Sequence, residues 1–446
     1  MHLNSKIAVA SLGCAKNLVD TENMLGLLVE AGYTLVDDAA EADVIVINTC
    51  AFIGDAKQES IETILDLAQY KENGSCKALI VTGCLAERYH SEIQKELPEV
   101  DAIVGTGDFY RICEVVEDTL ARRPMPVLCG HMNAPVPEGL ARITTTPPYT
   151  AYLKIAEGCD NRCTYCVIPS LRGRYRSRRM EDIYDEAVSL VNAGVRELIL
   201  IAQDTSRYGT DLYGVGSLDR LLRKLCEIDA LRWIRIHYLY PEAISDSLLQ
   251  VMAEEKKICR YFDIPIQHVN NEVLRRMGRH TSQQQLVELV SRIRSRMPDA
   301  VLRTSVIVGF PGETNEQFAE LLEVLGQLRF DRLGVFAYSR EENTPAARLK
   351  MQVPEKVKQQ RRDTLLRMAQ DISKENNENK VGSVIEVLCE GFDEENCLYY
   401  GRSRADSIDI DGKVYFGAHK ELCAGEFVAV KILCGEEYDL TGEMIL

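Results

Sequence analysis

Short apolar runs that alternate with helical patterns most constrain the fold of this 446-residue chain. Near the amino terminus such runs cover residues 6–14, 44–50 and 78–84, and residues 18–31 place Leu, Met and Val on one helical face. Continuous apolar strands that are each followed by a helix are typical of parallel sheets covered on both faces. The pattern predicts a doubly wound parallel sheet of the α/β class over residues 1–130.

Each of these three apolar runs ends on a cysteine, namely Cys14, Cys50 and Cys84. The carboxyl ends of parallel strands meet at one edge of a sheet, and that edge is where such sheets bind ligands. One cysteine at a strand end is readily explained as a small buried residue, but three at equivalent ends are not. We therefore expect the three thiols to converge and to hold a metal cluster.

A second domain is expected after a linker. Residues 131–148 are rich in proline, carry no periodic pattern and are predicted to be that linker. Strand candidates then recur at 151–157, 197–202, 233–239, 261–267, 301–308 and 332–338, with amphipathic helices between them. Repeats of this kind predict a partial (β/α)6 barrel over residues 149–380, with its active site at the carboxyl ends of the strands.

The loop after the first predicted barrel strand contains Cys159, Cys163 and Cys166 within eight residues. Thiolates at such short spacings are common ligands of iron–sulfur clusters. A [4Fe–4S] cluster held by three cysteines leaves one iron free to bind the amine and carboxylate of a molecule such as S-adenosylmethionine. A structural zinc site is an alternative, but it requires a fourth ligand, and no other Cys or His lies near this loop in the sequence. A coincidental group of core cysteines is a third interpretation.

Composition limits the location and the partners of the chain. It has 15 cysteines, a net charge of −16, no apolar run long enough to span a membrane and no signal-peptide profile in its first residues. We therefore expect a cytoplasmic protein, and since cytosolic thiols stay reduced, a disulfide framework is not expected. The negative net charge argues against a surface that binds nucleic acid directly.

The last segment, residues 381–446, follows a long polar helical stretch at about 354–381. Its short alternating runs and glycine turns predict a small antiparallel β-barrel. The segment contains 14 Asp and Glu against 5 Lys and Arg, a net charge of −9. So acidic a surface favours a basic protein partner over a nucleic acid.

The two three-cysteine groups and the terminal barrel together resemble the methylthiotransferase family of radical S-adenosylmethionine enzymes, over essentially the whole chain. The pattern Cys-x-x-x-Cys-x-Tyr-Cys, with Tyr165 as its aromatic residue, is similar to the signature of radical S-adenosylmethionine enzymes. Residues 11–22, 157–178 and 405–412 are similar to the RimO branch of the family. That branch adds a methylthio group to the β-carbon of an aspartate in small-subunit ribosomal protein twelve.

Two alternatives to this branch stay open at the level of sequence. The sister branch, which resembles MiaB, modifies an isopentenylated adenosine in transfer RNA and typically carries Gln-Met-Asn where this chain has Ala15-Lys16-Asn17. A non-catalytic iron–sulfur protein is the other alternative. It would show redox activity without consuming S-adenosylmethionine.

The resemblance implies two [4Fe–4S] clusters and two molecules of S-adenosylmethionine, one as the radical source and one as the methyl donor. The implied catalytic and metal-binding residues are Cys159, Cys163 and Cys166 for the radical cluster and Cys14, Cys50 and Cys84 for an auxiliary cluster that carries the sulfur. A flavodoxin or a ferredoxin is implied as the electron donor, and the terminal barrel, a TRAM domain, as the contact to the basic ribosomal protein.

Contacts to S-adenosylmethionine are expected at the ends of the barrel strands. The candidates are Tyr165, Gln203, Asp204, Ser305 and Gly309, the last through close backbone approach to the adenine. A basic run from Arg172 to Arg179 either grips the substrate or a phosphate, or forms a solvated loop beside the cluster.

Overall fold

Six parallel strands form the amino-terminal sheet in the computed structural model, which describes residues 5–445. In chain order the strands are β1 (Lys6–Ser11), β2 (Thr34–Leu35), β3 (Val44–Thr49), β4 (Ala78–Gly83), β5 (Ala102–Val104) and β6 (Val127–Leu128). Their order across the sheet is β2-β1-β3-β4-β5-β6. The residues of β3 and β4 are all buried, as expected where helices cover both faces of a parallel sheet.

Helices cover this sheet on both faces, so the predicted doubly wound architecture is confirmed. The helices are α1 (Ala15–Glu30), α2 (Gly54–Ala68), α3 (Tyr70–Asn73), α4 (Cys84–Glu96) and α5 (Ile112–Leu120). One core joins apolar residues of α2 and α4 to Ile45 and Leu79. A separate core joins α1 and α5 to Val44 and Ile80, the neighbouring residues that point to the other face.

The proline-rich segment packs against the first helix. Residues 129–149, all of them described, contain neither helix nor strand. The Ile143 N–H donates to the Glu22 carbonyl oxygen at 3.0 Å, and Arg142 Nε donates to Glu22 Oε2 at 3.0 Å. This segment is therefore an extended connection that is held along α1.

Parallel strands also form the middle of the molecule. The strands are β7 (Thr150–Lys154), β8 (Ala156–Glu157), β9 (Arg176–Ser177), β10 (Glu197–Ile201), β11 (Trp233–Ile236), β12 (Tyr261–Asp263), β13 (Val301–Val308) and β14 (Arg332–Ala337). They form the parallel sheets β11-β10-β7 and β12-β13-β14, and a bridge between Ile234 and Ile258 connects these two sheets. Strands β8 and β9 form a short antiparallel ribbon.

Six of these strands match the six that the sequence predicts for a partial barrel, and each begins within one residue of the prediction. Strands β11 and β12 end three and four residues earlier than predicted. The reasons are local, because Tyr238 has a φ angle of 62° and Pro265, two residues after β12, has no N–H to continue the ladder.

Helices follow the barrel strands and pack on the outer face of the barrel, except α6 (Ile168–Arg172), which packs against the amino-terminal domain. The others are α7 (Met180–Asn192), α8 (Thr210–Tyr213), α9 (Leu218–Cys226), α10 (Asp246–Glu254), α11 (Asn271–Met277), α12 (Gln283–Arg296), α13 (Asn315–Leu328) and α14 (Glu355–Glu378). The largest core of the protein lies between them and residues such as Leu198 and Leu200 of β10. Among residues 5–445, no helix combines the length and the apolar character needed to cross a membrane.

The terminal segment forms a closed five-stranded barrel. Its strands are β15 (Val384–Asp393), β16 (Leu398–Ser403), β17 (Val414–Gly417), β18 (Phe427–Gly435) and β19 (Leu440–Met444). The predicted small antiparallel barrel is confirmed, with one exception among its pairs, because β17 and β19 pair in parallel. An odd number of strands cannot alternate in direction all the way around a closed barrel, so one pair must be parallel.

One loop of the terminal barrel enters the inner face of the middle barrel. Ile408 packs against Tyr152, Ile199 and Ile201, which alternate along their strands with the residues of the outer core. Asp411 accepts a hydrogen bond from the Tyr261 hydroxyl at 2.6 Å. The terminal barrel therefore fills part of the interior that the partial barrel leaves open.

Candidate functional site

A short loop after β8 carries Cys159, Cys163 and Cys166, beyond the carboxyl end of the first barrel strand. Cys159 and Cys163 are buried, and Cys166 is half-buried. The loop begins at Gly158, where φ is 79° and a Cβ would lie 2.0 Å from the Arg174 carbonyl oxygen, so only glycine fits. The Cys166 N–H donates to the Cys163 carbonyl oxygen at 3.1 Å, which folds the loop back toward itself.

The surroundings of two of these thiols favour the protonated form when no metal is bound. Burial raises the pKa of Cys159 to about 11 and that of Cys166 to about 12. Buried thiols of this kind lose their protons when a metal supplies positive charge, since the thiolate is the ligand. One cation is already present, because Arg279 Nη1 lies 3.9 Å from Cys163 Sγ and its guanidinium lies 4.2 Å from the centroid of the Tyr240 ring.

Cys14, Cys50 and Cys84 lie at one edge of the amino-terminal sheet. Cys50 and Cys84 follow β3 and β4 directly, and Cys14 lies three residues beyond β1. A Cβ on Gly13, whose φ is 91°, would lie 3.0 Å from Cys50 Sγ, so the turn before the first cysteine touches the second. Cys84 Sγ lies 3.8 Å from Asn17 Oδ1 in the first turn of α1. The fold thus brings together three segments that are distant in the sequence.

The three thiols at this edge differ in acidity. Burial raises the pKa of Cys84 to about 12 and also raises that of Cys50. Burial opposes the ionisation of Cys14 as well, but Lys16 and Arg172 outweigh it, and the pKa of Cys14 lies below its usual value. Cys14 is therefore the first of the three to ionise.

Within the residues that the structure describes, neither group of cysteines forms a closed site for a single metal ion. Among residues 5–445, no three or more His, Cys, Asp or Glu side chains close around one ion position. The ligands of a structural zinc meet on one ion, whereas the cysteines of a [4Fe–4S] cluster bind different irons and stand further apart.

A buried ionic network lies between the two groups of cysteines. Arg172 Nη1 donates to Asp20 Oδ2 at 2.6 Å and to Glu157 Oε2 at 3.1 Å. Lys154 Nζ donates to Glu157 Oε2 at 3.0 Å and also contacts Asp20. Arg172 Nη2 lies 3.8 Å from Cys84 Sγ, and Glu157 directly precedes the barrel's cysteine loop. One guanidinium therefore touches the surroundings of both groups.

This network keeps Glu157 ionised. Burial, which is the largest influence, opposes its charge, but Lys154 and Arg172 hold the pKa of Glu157 well below its usual range. A carboxylate that is fixed in this way is a permanent acceptor at the entrance to the cysteine loop.

The sequence analysis did not predict that arginine side chains of the basic run are buried. Arg172 and Arg178 are only 2% and 7% exposed, so the run from Arg172 to Arg179 is not a solvated loop as a whole. Arg178 Nη1 donates to the Lys154 carbonyl oxygen at 2.8 Å and pairs with Glu186 at 2.6 Å. These partners lie on other elements, so no signal within the run itself indicates that the side chains are buried.

Gln203 and Asp204 follow β10 and lie beside this network. Gln203 Nε2 donates to Glu157 Oε1 at 2.6 Å, whereas Gln203 Oε1 is buried and has no hydrogen-bond partner in the described chain. Asp204 is fully buried, accepts from Asn161 Nδ2 at 3.0 Å, and has its pKa raised by burial. The nearby Tyr175 hydroxyl also lacks a partner in residues 5–445. Because an unpaired buried polar group costs about 1–3 kcal/mol, this corner fits a polar ligand.

The other three residues expected near S-adenosylmethionine have partners within the chain. Tyr165 is half-buried and packs against apolar residues of α11. The Ser305 carbonyl oxygen accepts the Gln267 N–H at 2.9 Å. At Gly309, with a φ of 72°, a Cβ would lie 2.3 Å from Lys358 Cγ, so packing against α14 already requires glycine. Their contacts to the cofactor stay predictions.

Three family models match successive parts of the chain. Residues 6–105 match the Uncharacterized protein family UPF0004, residues 153–325 match the Radical SAM superfamily, and residues 381–445 match the TRAM domain. Together they cover the amino-terminal sheet, most of the partial barrel and the terminal barrel.

Solved structures share the fold at low sequence identity. The radical S-adenosylmethionine methyltransferase TsrM from Kitasatospora setae is 15% identical, with a TM-score of 0.56 over 77% of each chain. The cobalamin-dependent S-adenosylmethionine radical enzyme OxsB is 14% identical, with a TM-score of 0.50 over 83% of this chain and 58% of that one. At this identity the likeness shows the fold alone.

Curated relatives match along the whole length. A protein from Clostridioides difficile strain 630 named Ribosomal protein uS12 methylthiotransferase RimO is 51% identical over 440 residues, which is 99% of each chain. Proteins of the same name from Pelotomaculum thermopropionicum and Geobacter sulfurreducens are 52% and 50% identical, and the alignments cover 99% of this chain and 99% and 98% of theirs. With about half of its residues shared along nearly its full length, the chain belongs to the RimO family of ribosomal protein uS12 methylthiotransferases.

Proposed function

We propose that this protein adds a methylthio group to the β-carbon of an aspartate in ribosomal protein uS12. The relatives that match its full length carry the name of this activity. The observation that carries the proposal is the position of Arg172, which touches Cys84 of one cysteine group and Glu157 beside the other. Sulfur insertion at an unactivated carbon requires a radical source and a sulfur source close together, and this contact supports that proximity.

Both groups of cysteines fit [4Fe–4S] clusters, since each offers three thiols at the carboxyl ends of parallel strands. Cys159, Cys163 and Cys166 would hold the cluster that binds S-adenosylmethionine, and Cys14, Cys50 and Cys84 would hold the auxiliary one. When bound, these groups supply a carbon radical, a reactive sulfur and a methyl group.

The chain's own residues bind and orient the reactants. The unpaired Gln203 Oε1 and the buried carboxylate of Asp204 offer acceptors for the N–H groups of the S-adenosylmethionine amine. Ile408 packs against Tyr152, Ile199 and Ile201 and so excludes water from that part of the barrel interior. Excluding water prevents side reactions of a reactive intermediate.

The terminal barrel would contact the basic ribosomal protein, but with fewer charges than its composition indicates. Six acidic residues form ion pairs with basic side chains among residues 5–445: Glu386, Glu390, Asp406, Asp411, Glu426 and Glu437. Six other acidic residues are exposed and form no ion pair among residues 5–445: Glu394, Glu395, Asp409, Glu421, Glu436 and Glu443. These six offer the surface for uS12.

A flavodoxin or a ferredoxin would supply the electrons. Because the substrate is a ribosomal protein, the reaction would take place in the cytoplasm.

The proposal is tested by the mass of the uS12 peptide that contains the target aspartate. The gene is expressed in a host that lacks its own aspartate methylthiotransferase, with Cys159→Ala as the inactive control. We expect the mass of one added methylthio group with the wild-type gene and none with the variant. An unmodified uS12 together with gene-dependent methylthioadenosine in transfer RNA would assign the chain to the tRNA-modifying branch instead.

A further inference from the structure

Lys16, in the first turn of α1, is a buried cation without a carboxylate partner. Its residue is 8% exposed. The ion pairs of this region, within residues 5–445, join Lys154 and Arg172 to Asp20 and Glu157, and none reaches Lys16. Buried lysines are rarely left without a negative partner, because burial of an ammonium group is costly.

An aromatic ring holds the ammonium group in place. Lys16 Nζ lies 3.7 Å from the centroid of the Tyr238 ring, which is a cation–π contact. Tyr238 follows β11, at the carboxyl end of the barrel strands. Lys16 is two residues from Cys14, so this contact lies where the amino-terminal cysteine group meets the mouth of the barrel.

The backbone of Tyr238 is strained, and specific hydrogen bonds maintain it. Its φ of 62° is unfavourable for a bulky residue, and such strain concentrates at ligand-binding positions. The Tyr238 N–H donates to Asp263 Oδ2 at 3.1 Å, and its carbonyl oxygen accepts from the Thr205 N–H at 3.1 Å and from the Thr205 hydroxyl at 2.9 Å. These bonds fix the ring as a platform for Lys16.

The basic side chains around the contact between Lys16 and Tyr238 outnumber the carboxylates that pair with them. Lys154 and Arg172 are matched by Asp20 and Glu157. Lys16 is attracted to the thiolate of Cys14, but it has no carboxylate partner within residues 5–445. The site therefore favours a negatively charged ligand close to the amino-terminal cysteines.

We propose that Lys16 binds the side-chain carboxylate of the aspartate that is modified, and so determines which residue of uS12 reacts. The inference rests on the proposed function and names the group that recognises its substrate. The carboxyl carbon is bonded directly to the β-carbon, so a fixed ammonium on the carboxylate also fixes the reacting carbon. An asparagine lacks the charge that this ammonium recognises, and charge-assisted hydrogen bonds are about twice as strong as neutral ones.

The test compares the binding of two peptides to the enzyme with both clusters reconstituted. One is a labelled uS12 peptide with the target aspartate, and the other carries asparagine at that position. Affinities are measured by fluorescence anisotropy for wild type, Lys16→Met and Lys16→Arg, with Lys77→Met as a control on the opposite end of the sheet. We expect wild type and Lys77→Met to prefer the aspartate peptide by about tenfold or more.

The Lys16→Met variant should bind both peptides with the same affinity, equal to the affinity of wild type for the asparagine peptide. The Lys16→Arg variant should regain part of the preference for the aspartate peptide. Iron content and thermal unfolding are measured on every variant, and Lys16→Gln replaces Lys16→Met if the latter does not fold. A preference for aspartate that persists in Lys16→Met overturns the inference alone. The inference is also overturned if Lys16→Met binds both peptides more weakly by the same factor and loses iron. Lys16 would then support only the Cys14 group. Wild type that neither binds nor modifies the uS12 peptide overturns the proposed function itself.

Discussion

A buried ionic network lies at each end of the middle barrel. The two networks have similar charge but different roles. At the amino-terminal end, Glu197 accepts from Arg235 Nε at 3.0 Å and from Arg402 Nη2 at 2.7 Å, and Arg402 Nε donates to Glu390 at 2.7 Å. This network joins the terminal barrel to the middle barrel, and every nitrogen of its two guanidinium groups is hydrogen-bonded.

The network at the carboxyl end, around Arg172 and Glu157, is equally buried but incomplete. It lies beside Cys84, beside the unpaired Gln203 Oε1 and near the unpaired Tyr175 hydroxyl. Buried charge therefore does not mark a functional site by itself, since both ends have it. A nearby thiol does not distinguish the two ends either, because the buried Cys259 interacts with Arg235 in the amino-terminal network. Unpaired polar atoms beside the charge distinguish the carboxyl end, where we expect the ligands to bind.

The largest effects are expected from the cysteines at the carboxyl end. Cys159→Ala should abolish both the methylthio product and the cleavage of S-adenosylmethionine, whereas Cys14→Ala should abolish the product and retain some cleavage. The two groups of cysteines serve different steps in the proposed reaction, which is why the variants should differ. Peptide mass and the release of 5′-deoxyadenosine measure the two outcomes. Full methylthiolation by Cys14→Ala would contradict the assignment.

Substitution of one arginine in each network should distinguish the roles of the two networks. Removing one partner of a buried ion pair costs about 3–5 kcal/mol, because the other charge is left uncompensated. We expect Arg172→Met to lower iron content and product formation, and Arg402→Met to expose the terminal barrel to limited proteolysis while cleavage of S-adenosylmethionine persists. If the folded Arg402→Met protein no longer cleaves the cofactor, the two ends are not independent.

The amino-terminal network should respond to acid. Burial opposes the charge of Glu197, but Arg402 and Arg235 lower its pKa from 4.5 to about 2. A lowered pKa stabilises the folded state above pH 4.5, and this contribution, up to about 3 kcal/mol, is lost as the pH falls toward 2. Hydrogen exchange of β15–β19 between pH 5 and 2.5 measures it. Glu197→Gln should weaken protection already at pH 5 and flatten the pH dependence, whereas the exposed Glu92→Gln should leave the wild-type profile.

The smallest effect is expected on the acidic surface of the terminal barrel. Glu394→Lys with Glu395→Lys should raise the KM for uS12 a few-fold and reduce its salt dependence, because exposed charges at an interface contribute little each. The matched control is Glu92→Lys on α4, which reverses a charge far from this surface. Unchanged kinetics in the double variant would show that these two residues are not part of the contact.

Part of the candidate site could be predicted because its residues are close in sequence or occupy equivalent strand ends. Cys159, Cys163 and Cys166 lie within one eight-residue loop. Cys14 and Cys50 could be paired because parallel strands end at a common edge. No comparable rule points to Arg172, since its partner Asp20 lies 152 residues away and on another domain.

The amino-acid composition also overstated the number of free acidic groups on the surface of the terminal barrel. The acidic count of the terminal segment includes Glu390 and Asp406, which the structure pairs with Arg402 and Arg332 at 2.7 and 2.9 Å. A net charge describes the chain and not its surface, so it could not separate acids that fasten the domain from acids that face solvent.

By itself, the sequence determined the strands and helices, the parallel direction of the main sheets and the two sets of cysteines, because periodicity and local spacing encode them. The tertiary structure alone decided which charges are paired, which polar atoms are left over, and that Lys16 lies on Tyr238 without a carboxylate. Pairing depends on the approach of side chains from segments far apart in the chain. No pattern within either segment records that approach.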